Sequence, residues 1–193
     1  VPQVSGVGGM VSFRARFAAG LEQRGIQVCN NLDDTPYDAV LVIGGTRDLL
    51  GLRQVRRRGV RIVQRLNGMN WIHRKRRTGL KHALRAEYGN LILNTIRTRL
   101  ANRIVYQSRF AQGWWERVYG TTRATWKVVY NAVDLGQYSP QGPAARPTDR
   151  QRLLLVEGSL GGGYEMGLDT AIEMAEILRK DYHRTVELIV VGK

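Results

Sequence analysis

Two glycine-rich segments are the parts of the chain best suited to bind a phosphate. VSGVGGMV holds Gly8 and Gly9 just before a helical pattern, and GSLGGGYEMG begins at Gly158. A turn that ends a strand and opens a helix directs free backbone N–H groups and the helix dipole at an anion, and glycine lets the backbone come close. Packing alone is the alternative explanation of the first turn. The predicted phosphate-binding residues are Gly8, Gly9, Gly158, Ser159, Gly162 and Gly163.

Neither segment carries a complete nucleotide-binding fingerprint. Val11 stands where the dinucleotide fingerprint has its third glycine or alanine, and Asn30 stands where that fingerprint ends a strand with an acid. The second segment lacks the lysine and hydroxyl of a P-loop, so we do not expect hydrolysis of ATP or GTP. Two such turns, one heading each presumed α/β domain, indicate a diphosphate held from both sides.

Positive charge is concentrated in the middle of the chain. The formal net charge is +14, and the segment from Arg53 to Arg103 contains fifteen Lys or Arg residues and one acid, Glu87. Such a field attracts nucleic acid, anionic lipid head groups or a phosphorylated small molecule. Trp71, at the edge of the most basic loop, suits an interface or the face of a sugar. The alternative explanation of these basic residues is a charged surface that only faces solvent.

The elements that must position these residues alternate along the chain. Apolar spacing predicts helices at 10–25, 47–58, 80–100 and 109–119. Apolar runs predict strands at 26–30, 38–45, 60–66, 103–108 and 126–131, and the segment 68–79 is too polar to be regular. The alternation predicts an α/β fold with a Rossmann-like parallel sheet flanked by helices.

A second domain is predicted after a linker. Residues 139–151 contain three prolines and no apolar pattern, and 152–193 then hold one β-α-β unit. We therefore divide the chain into an N-terminal domain at 1–138, a linker at 139–151 and the beginning of a C-terminal domain at 152–193. One β-α-β unit cannot bury both faces of its sheet, so we expect this second domain to be incomplete.

Other features of the sequence indicate the cellular compartment and bear on whether a metal or cofactor is expected. Cys29 is the only cysteine, which excludes an internal disulfide or a thiolate zinc cluster and is typical of a reducing compartment. The sequence shows no spanning segment and no leader, so we expect a cytoplasmic protein that meets a membrane, if at all, at its inner surface. Asp33 and Asp34 are interpreted as turn residues, and no metal or cofactor is expected.

The order of motifs resembles the glycosyltransferases of the GT-B fold, in particular the large retaining group classed as family 4. The Gly8–Gly9 turn matches, as do RLNG from Arg65 to Gly68 and RIVYQS ending at Ser108. The most specific match is VVYNAVDLGQYSP, where Ala132 replaces the family's usual glycine; the matching residues are Asn131, Val133, Asp134, Tyr138 and Pro140. The similarity covers essentially the whole chain and about half of a complete enzyme.

The resemblance implies a two-domain enzyme that moves a sugar from a nucleotide-diphosphate donor to an acceptor with retention. The N-terminal domain would take the acceptor, the C-terminal domain the nucleotide, and helix N-termini and cations would stabilise the leaving diphosphate without a metal. On this interpretation the glycine turns bind the donor phosphates, and Asn131 and Asp134 form an interdomain hinge. The acceptor-side residues are then Asn67, Trp71, His73, Arg74 and Arg76.

Several departures from the family pattern leave alternatives open. Ser159 and Met166 stand where the family carries an arginine and a lysine on the donor phosphates, and Asn67 stands where it often has histidine or aspartate. The paired glutamates of the later motif would lie beyond Lys193, so the catalytic residues are unknown and we expect this chain alone to be inactive. The alternatives are a basic, nucleic-acid-binding α/β protein and a non-catalytic relative of the transferases. For His73, a surface cation is favoured over a catalytic base.

Overall fold

A computed structural model describes residues 9–141, 146–158, 160 and 166–192. The chain divides into two compact units. The first comprises the described residues of 9–73 and 79–132, and the second comprises 74–78 and the described residues from 133 to 192. The division between Ala132 and Val133 falls inside the sequence NAVD. Asn131 therefore belongs to the first unit and Asp134 to the second.

The first unit is built on a four-stranded parallel sheet of order β1-β2-β3-β4. Its strands are β1 (Ala39–Ile43), β2 (Arg61–Leu66), β3 (Arg103–Tyr106) and β4 (Thr125–Val128). In the register, Ile43 pairs with Arg65, Leu66 with Tyr106, and Tyr106 with Val128. The carboxyl ends of all four strands consequently lie at one edge of the sheet, which brings together the segments that follow them.

Helices flank this sheet. They are α1 (Gly9–Glu22), α2 (Leu49–Arg57), α3 (Leu80–Thr95) and α4 (Arg109–Tyr119), with a 3-10 turn at Ile72–Arg74 and a π-helical segment at Ile96–Leu100. Side-chain caps fix two starts: Asp48 Oδ1 accepts from Gly51 N at 2.7 Å, and Ser108 Oγ accepts from Ala111 N at 3.0 Å. Gly120, with φ of 72°, ends α4.

The core lies on the face of the sheet formed by alternate strand residues. Its fully buried members include Val42, Leu52, Ile62, Leu66, Ile96, Ile104, Tyr106 and Trp115. Gln64 is also buried there, and its Nε2 donates to Gly44 O at 2.9 Å and to Leu93 O at 3.1 Å. The opposite face is only half-buried at Leu41, Val63 and Val105. The helix α1 lies over this face, and none of the residues of α1 is buried.

The expectation of a mixed α/β fold with a parallel sheet flanked by helices is confirmed. The strand predicted at 26–30 was wrong, since those residues belong to no ladder within the described part of the chain. The segment is held at its two ends instead: Ile26 N donates to Leu21 O at 3.0 Å, and Asn30 N donates to Asp34 Oδ2 at 3.1 Å. β4 ends at Val128 rather than at 131.

The second unit contains one β-α-β element. β5 (Gln151–Val156) and β6 (Val186–Val191) form a two-stranded parallel sheet, and α5 (Met166–Lys180) packs against both strands. Leu154 and Val156 are 64% and 65% exposed, and none of the residues 166–180 is buried. One face of this small sheet is therefore open in the part of the chain that the structure describes.

Candidate functional site

A cavity of about 1350 Å³ lies in the first unit between α1 and the half-buried face of the sheet. The helix contributes Gly9, Met10, Phe13 and Phe17, and the strands contribute Leu41, Val63, Arg65 and Val105. Polar side chains at the carboxyl edge complete the lining, from segments that follow β2, β3 and β4: Asn67, Gln107 and Asn131. Ligands of open parallel sheets bind at this edge.

Gly9 begins α1 and lines the cavity. It is exposed, and a Cβ built on it would meet none of the described atoms within 4 Å. Gly9 is therefore not packed against the described part of the sheet. Gly8, which precedes it, lies outside the described residues.

Arg65 is the most deeply placed polar residue of the lining. It is 6% exposed, and its Cζ lies 3.6 Å from the centre of the Phe13 ring, within cation–π range. Nη2 donates to Asn131 Oδ1 at 2.7 Å, and Nη1 lies 3.4 Å from Asn67 Oδ1. The hydrogen-bonding partners orient the Gln107 amide oxygen toward the guanidinium, where it accepts at 2.8 and 3.1 Å.

Among the described residues, no carboxylate accepts a hydrogen bond from Arg65. Burial lowers the pKa of its guanidinium, and its hydrogen-bond acceptors among the described residues are all neutral amide oxygens. Asp38, the one acid in the described lining, precedes β1 at the opposite edge of the sheet. It is five residues before Ile43, the register partner of Arg65, and thus about 16 Å away along the strand.

The RLNG turn is held from beneath by α4. The buried Trp115 donates from Nε1 to Asn67 O at 2.7 Å, and the Trp114 ring lies 3.4 Å from the position of a Cβ on Gly68. A backbone fixed in this way aims the Asn67 side chain consistently at the cavity. The turn is thus part of the structural support of the site.

Three of the predicted site residues line this one cavity: Gly9, Asn67 and Asn131. Sequence reasoning missed Arg65 and Gln107 as members of the site, although both stand in the segments singled out as motifs. Their signal was spacing, because residues two apart on a strand share a face. Arg65 and Asn67 are two apart, as are Val105 and Gln107.

Trp71 and His73 do not line the cavity described above. Trp71 is 39% exposed and meets the edge of Trp114 at 6.4 Å between ring centres. The His73 side chain is only 4% exposed, and its Nε2 lies 2.7 Å from Glu87 Oε1. The interpretation of His73 as a surface cation was therefore wrong, because α3 supplies a carboxylate that holds the ring inside.

Four more of the predicted residues, Arg74, Arg76, Asp134 and Gly158, belong to the second unit. Arg74 and Arg76 are exposed and grouped with the second unit. Asp134 Oδ1 accepts from Gly136 N at 2.9 Å and closes a local turn, while Gly158 is exposed. Ser159, Gly162 and Gly163 lie outside the described residues. The roles assigned to all of these residues remain predictions.

The surface of α3 carries an apolar stripe. Leu80, Leu84, Tyr88 and Leu91 are 77%, 63%, 55% and 58% exposed and recur at helical spacing. We call these four residues the α3 stripe. Lys81 and Arg85 are exposed on the same helix, so the stripe lies in positively charged surroundings.

In 9–141, 146–158, 160 and 166–192, no three His, Cys, Asp or Glu side chains are grouped so that they could hold a metal ion. None of the described helices combines the length and apolar character that crossing a bilayer requires. No protein-family model matches the chain, and no curated protein matches it.

Proposed function

We propose that the protein is a glycosyltransferase that moves a sugar, with retention, from a nucleotide-diphosphate donor to an acceptor. One observation carries the proposal. The Gly9 turn, RLNG and the NAVD segment are far apart in the sequence, yet residues of all three line one cavity at the carboxyl edge of a parallel sheet. These are the segments on which the resemblance to GT-B transferases rests.

The chemistry of the cavity suits a phosphorylated sugar donor. The first backbone N–H groups of a helix have no partner inside the helix, so those at the beginning of α1 would stabilise negative charge on a leaving diphosphate. Side-chain amides of Asn67, Gln107 and Asn131 offer both donors and acceptors to sugar hydroxyls. The donor's nucleotide would be bound by the second unit, as the resemblance implies.

We also propose that the protein meets an anionic membrane surface through the α3 stripe. Exposed leucines beside Lys81 and Arg85 are the composition of an interfacial helix, which inserts its apolar face and pairs its cations with lipid phosphates. A lipid-linked or membrane-bound acceptor would be reached from that position. On this proposal the attachment is peripheral, and the inner face of the membrane is the expected side.

The test is a transfer assay on the whole polypeptide that the gene encodes. It is incubated with a panel of UDP- and GDP-sugars and with glycan, glycolipid and small-metabolite acceptors, and release of UDP or GDP is measured. We expect release with one donor class, and NMR of the product should show the anomeric configuration of the donor.

Two outcomes would contradict the proposal. Silence with every donor, in a protein that still binds nucleoside diphosphates, would favour a non-catalytic relative. Tight binding of DNA or RNA in a filter assay, falling steeply with salt and accompanied by no sugar transfer, would favour the nucleic-acid-binding alternative.

A further inference from the structure

We infer that Arg65 is the centre of an oxyanion-binding site that takes a phosphate or carboxylate group of a ligand entering the first-unit cavity. The inference goes beyond the proposed function. It rests on the surroundings of one buried cation and does not require that the protein transfers a sugar.

The first step is the cost of burying the charge. Arg65 is 6% exposed, and its partners among the described residues are amide oxygens and the ring of Phe13. A buried charge is ordinarily paired with an opposite charge, because amide oxygens recover only part of the lost hydration. Among the described residues, none of the hydrogen-bond acceptors of Arg65 carries a negative charge. An anionic ligand that enters the cavity would supply it.

Burial alone does not identify such a site, as a second guanidinium shows. Arg97 is fully buried and has no acid among its hydrogen-bond partners in the described ranges, but its Nη2 donates to Gly120 O at 2.6 Å, at the carboxyl end of α4. Its Nε donates to the Tyr106 hydroxyl at 2.9 Å. A helix C-terminus supplies partial negative charge, so Arg97 is compensated internally. Arg97 also does not line the cavity, whereas Arg65 does.

The second step is access. Arg65 forms part of the cavity wall, and the amides of Asn67, Gln107 and Asn131 line the same wall. A planar guanidinium binds carboxylate or phosphate through parallel N–H donors, and the neighbouring amides can turn their NH₂ groups toward the same anion. The Phe13 ring on one face of Arg65 holds the guanidinium in a fixed plane.

The experiment titrates the protein with inorganic phosphate and, separately, with acetate at constant ionic strength, using isothermal calorimetry. We expect saturable binding with one site per chain for at least one of the two anions. Which anion binds more tightly distinguishes a phosphate ligand from a carboxylate ligand.

Two variants then locate the site. Asn131→Asp places a carboxylate where an amide oxygen already lies 2.7 Å from Arg65 Nη2. We expect it to raise the melting temperature and to weaken anion binding about tenfold or more, because the charge is then neutralised from within. Arg65→Met should remove binding without that gain in melting temperature. Arg61→Met, which removes an exposed charge from the same strand, is the matched control and should bind as the wild type does.

Each outcome of these measurements either supports or overturns an anion site at Arg65. If the wild type binds neither anion, or if Arg61→Met weakens binding as much as Asn131→Asp does, the site is not at Arg65 and the inference fails. Should Arg65→Met not fold, Asn131→Asp alone still decides. A protein that binds phosphate at Arg65 but transfers no sugar would retain this inference and lose the proposed function.

Discussion

At the scale of single residues, Gly9 is a position that the fold leaves open. No atom of the described residues lies within 4 Å of a Cβ built there, so we expect the fold to accept a small side chain at this position. Any effect of such a side chain on binding would come from its contact with a ligand, which is what the proposed role of the α1 turn requires.

We predict that Gly9→Ala folds as well as the wild type but binds UDP and GDP more weakly. Alanine at the first residue of a helix should change the free energy of unfolding little, while its methyl group keeps a phosphate from the backbone N–H groups. Losing one charge-assisted hydrogen bond corresponds to a roughly tenfold weaker Kd. Calorimetric titration and thermal unfolding measure the two effects.

The matched control is Gly20→Ala on the same helix. Its Cβ would lie 3.6 Å from Arg24 Nη1, an ordinary contact, and Gly20 does not line the cavity. This variant should fold as well as the wild type and keep its nucleotide affinity. Equal losses of affinity in the two variants would show that the turn has no special role.

Residues of the site differed in how far the sequence could predict them. Gly9, Asn67 and Asn131 carry recognisable motif chemistry and could be named in advance. Arg65 could not, because its importance depends on which side chains β3 and β4 bring beside it, and strand register is not written in any local pattern. The burial of His73 was not predicted either, because its partner Glu87 lies on a different element.

At the scale of the elements, α3 is unusual because its outward face is apolar at four positions. Residues that pack into a core would be protected from water, whereas the α3 stripe is more than half exposed at each position. The helix also begins beside the most basic part of the sequence. An interfacial role explains both features together.

We predict that the protein binds vesicles containing phosphatidylglycerol and that Leu84→Gln combined with Leu91→Gln weakens this binding about tenfold or more. Each leucine that enters the bilayer contributes about 1.5–3 kcal/mol, and both are exposed, so the fold should be little affected. Co-sedimentation with vesicles measures the affinity.

The control for this measurement is Leu50→Gln on α2, which is 74% exposed but outside the stripe. It should bind vesicles normally. Vesicles of phosphatidylcholine alone should bind the wild type more weakly, and added salt should reduce the difference between the lipids. Identical retention of the wild type and the double variant would contradict the role of α3.

The β5–β6 pair carries a pH-sensitive ion pair. Glu187 Oε2 accepts from Arg152 Nε at 2.8 Å and from Arg150 Nε at 3.0 Å, and these hydrogen bonds hold the pKa of Glu187 below its usual value of 4.5. A lowered pKa in the folded state means that the interaction stabilises the unit above that value and is lost as the pH falls below it.

We predict that the β5–β6 amides lose protection from hydrogen exchange as the pH falls from about 6 to about 3, after correction for the intrinsic exchange rate. In Glu187→Gln this loss should be smaller, because no carboxylate remains to be protonated. Glu173→Gln on α5, which removes an exposed carboxylate whose side chain is not part of this pair, should behave as the wild type. Equal losses in all three proteins would exclude a role for the pair.

The elements themselves were largely predictable. Strong apolar runs such as AVLVI and RIVQRL became strands, and the helix predicted from 109 begins there, after its Ser108 cap. The helix predicted from 47 begins at Leu49, after an Asp48 cap that the sequence analysis did not identify. The segment 26–30 was misinterpreted because its apolar content is typical of a strand, yet a strand also needs a partner for its N–H groups. The N–H groups at the two ends of the segment bind elsewhere: that of Ile26 donates to Leu21 O and that of Asn30 to the Asp34 carboxylate.

At the scale of the whole molecule, the fold class followed from the alternation of strands and helices, but the cavity did not. Its existence depends on α1 standing off the half-buried face of the sheet, and neither the amphipathicity of α1 nor the strand pattern specifies that spacing. The net charge of +14 indicated an anionic ligand without locating it. The sequence contains 30 Lys and Arg residues, and only the folded chain distinguishes Arg65 from the others.

The cavity wall also contains Cys29, which is half-buried and is the one cysteine of the sequence. A single thiol in that wall gives the molecule a natural attachment point for a maleimide fluorophore, with no substitution needed to create or remove others. Emission from such a dye would respond to the arrival of small molecules beneath α1. Chemical libraries can thus be screened for ligands of this cavity with the unaltered polypeptide.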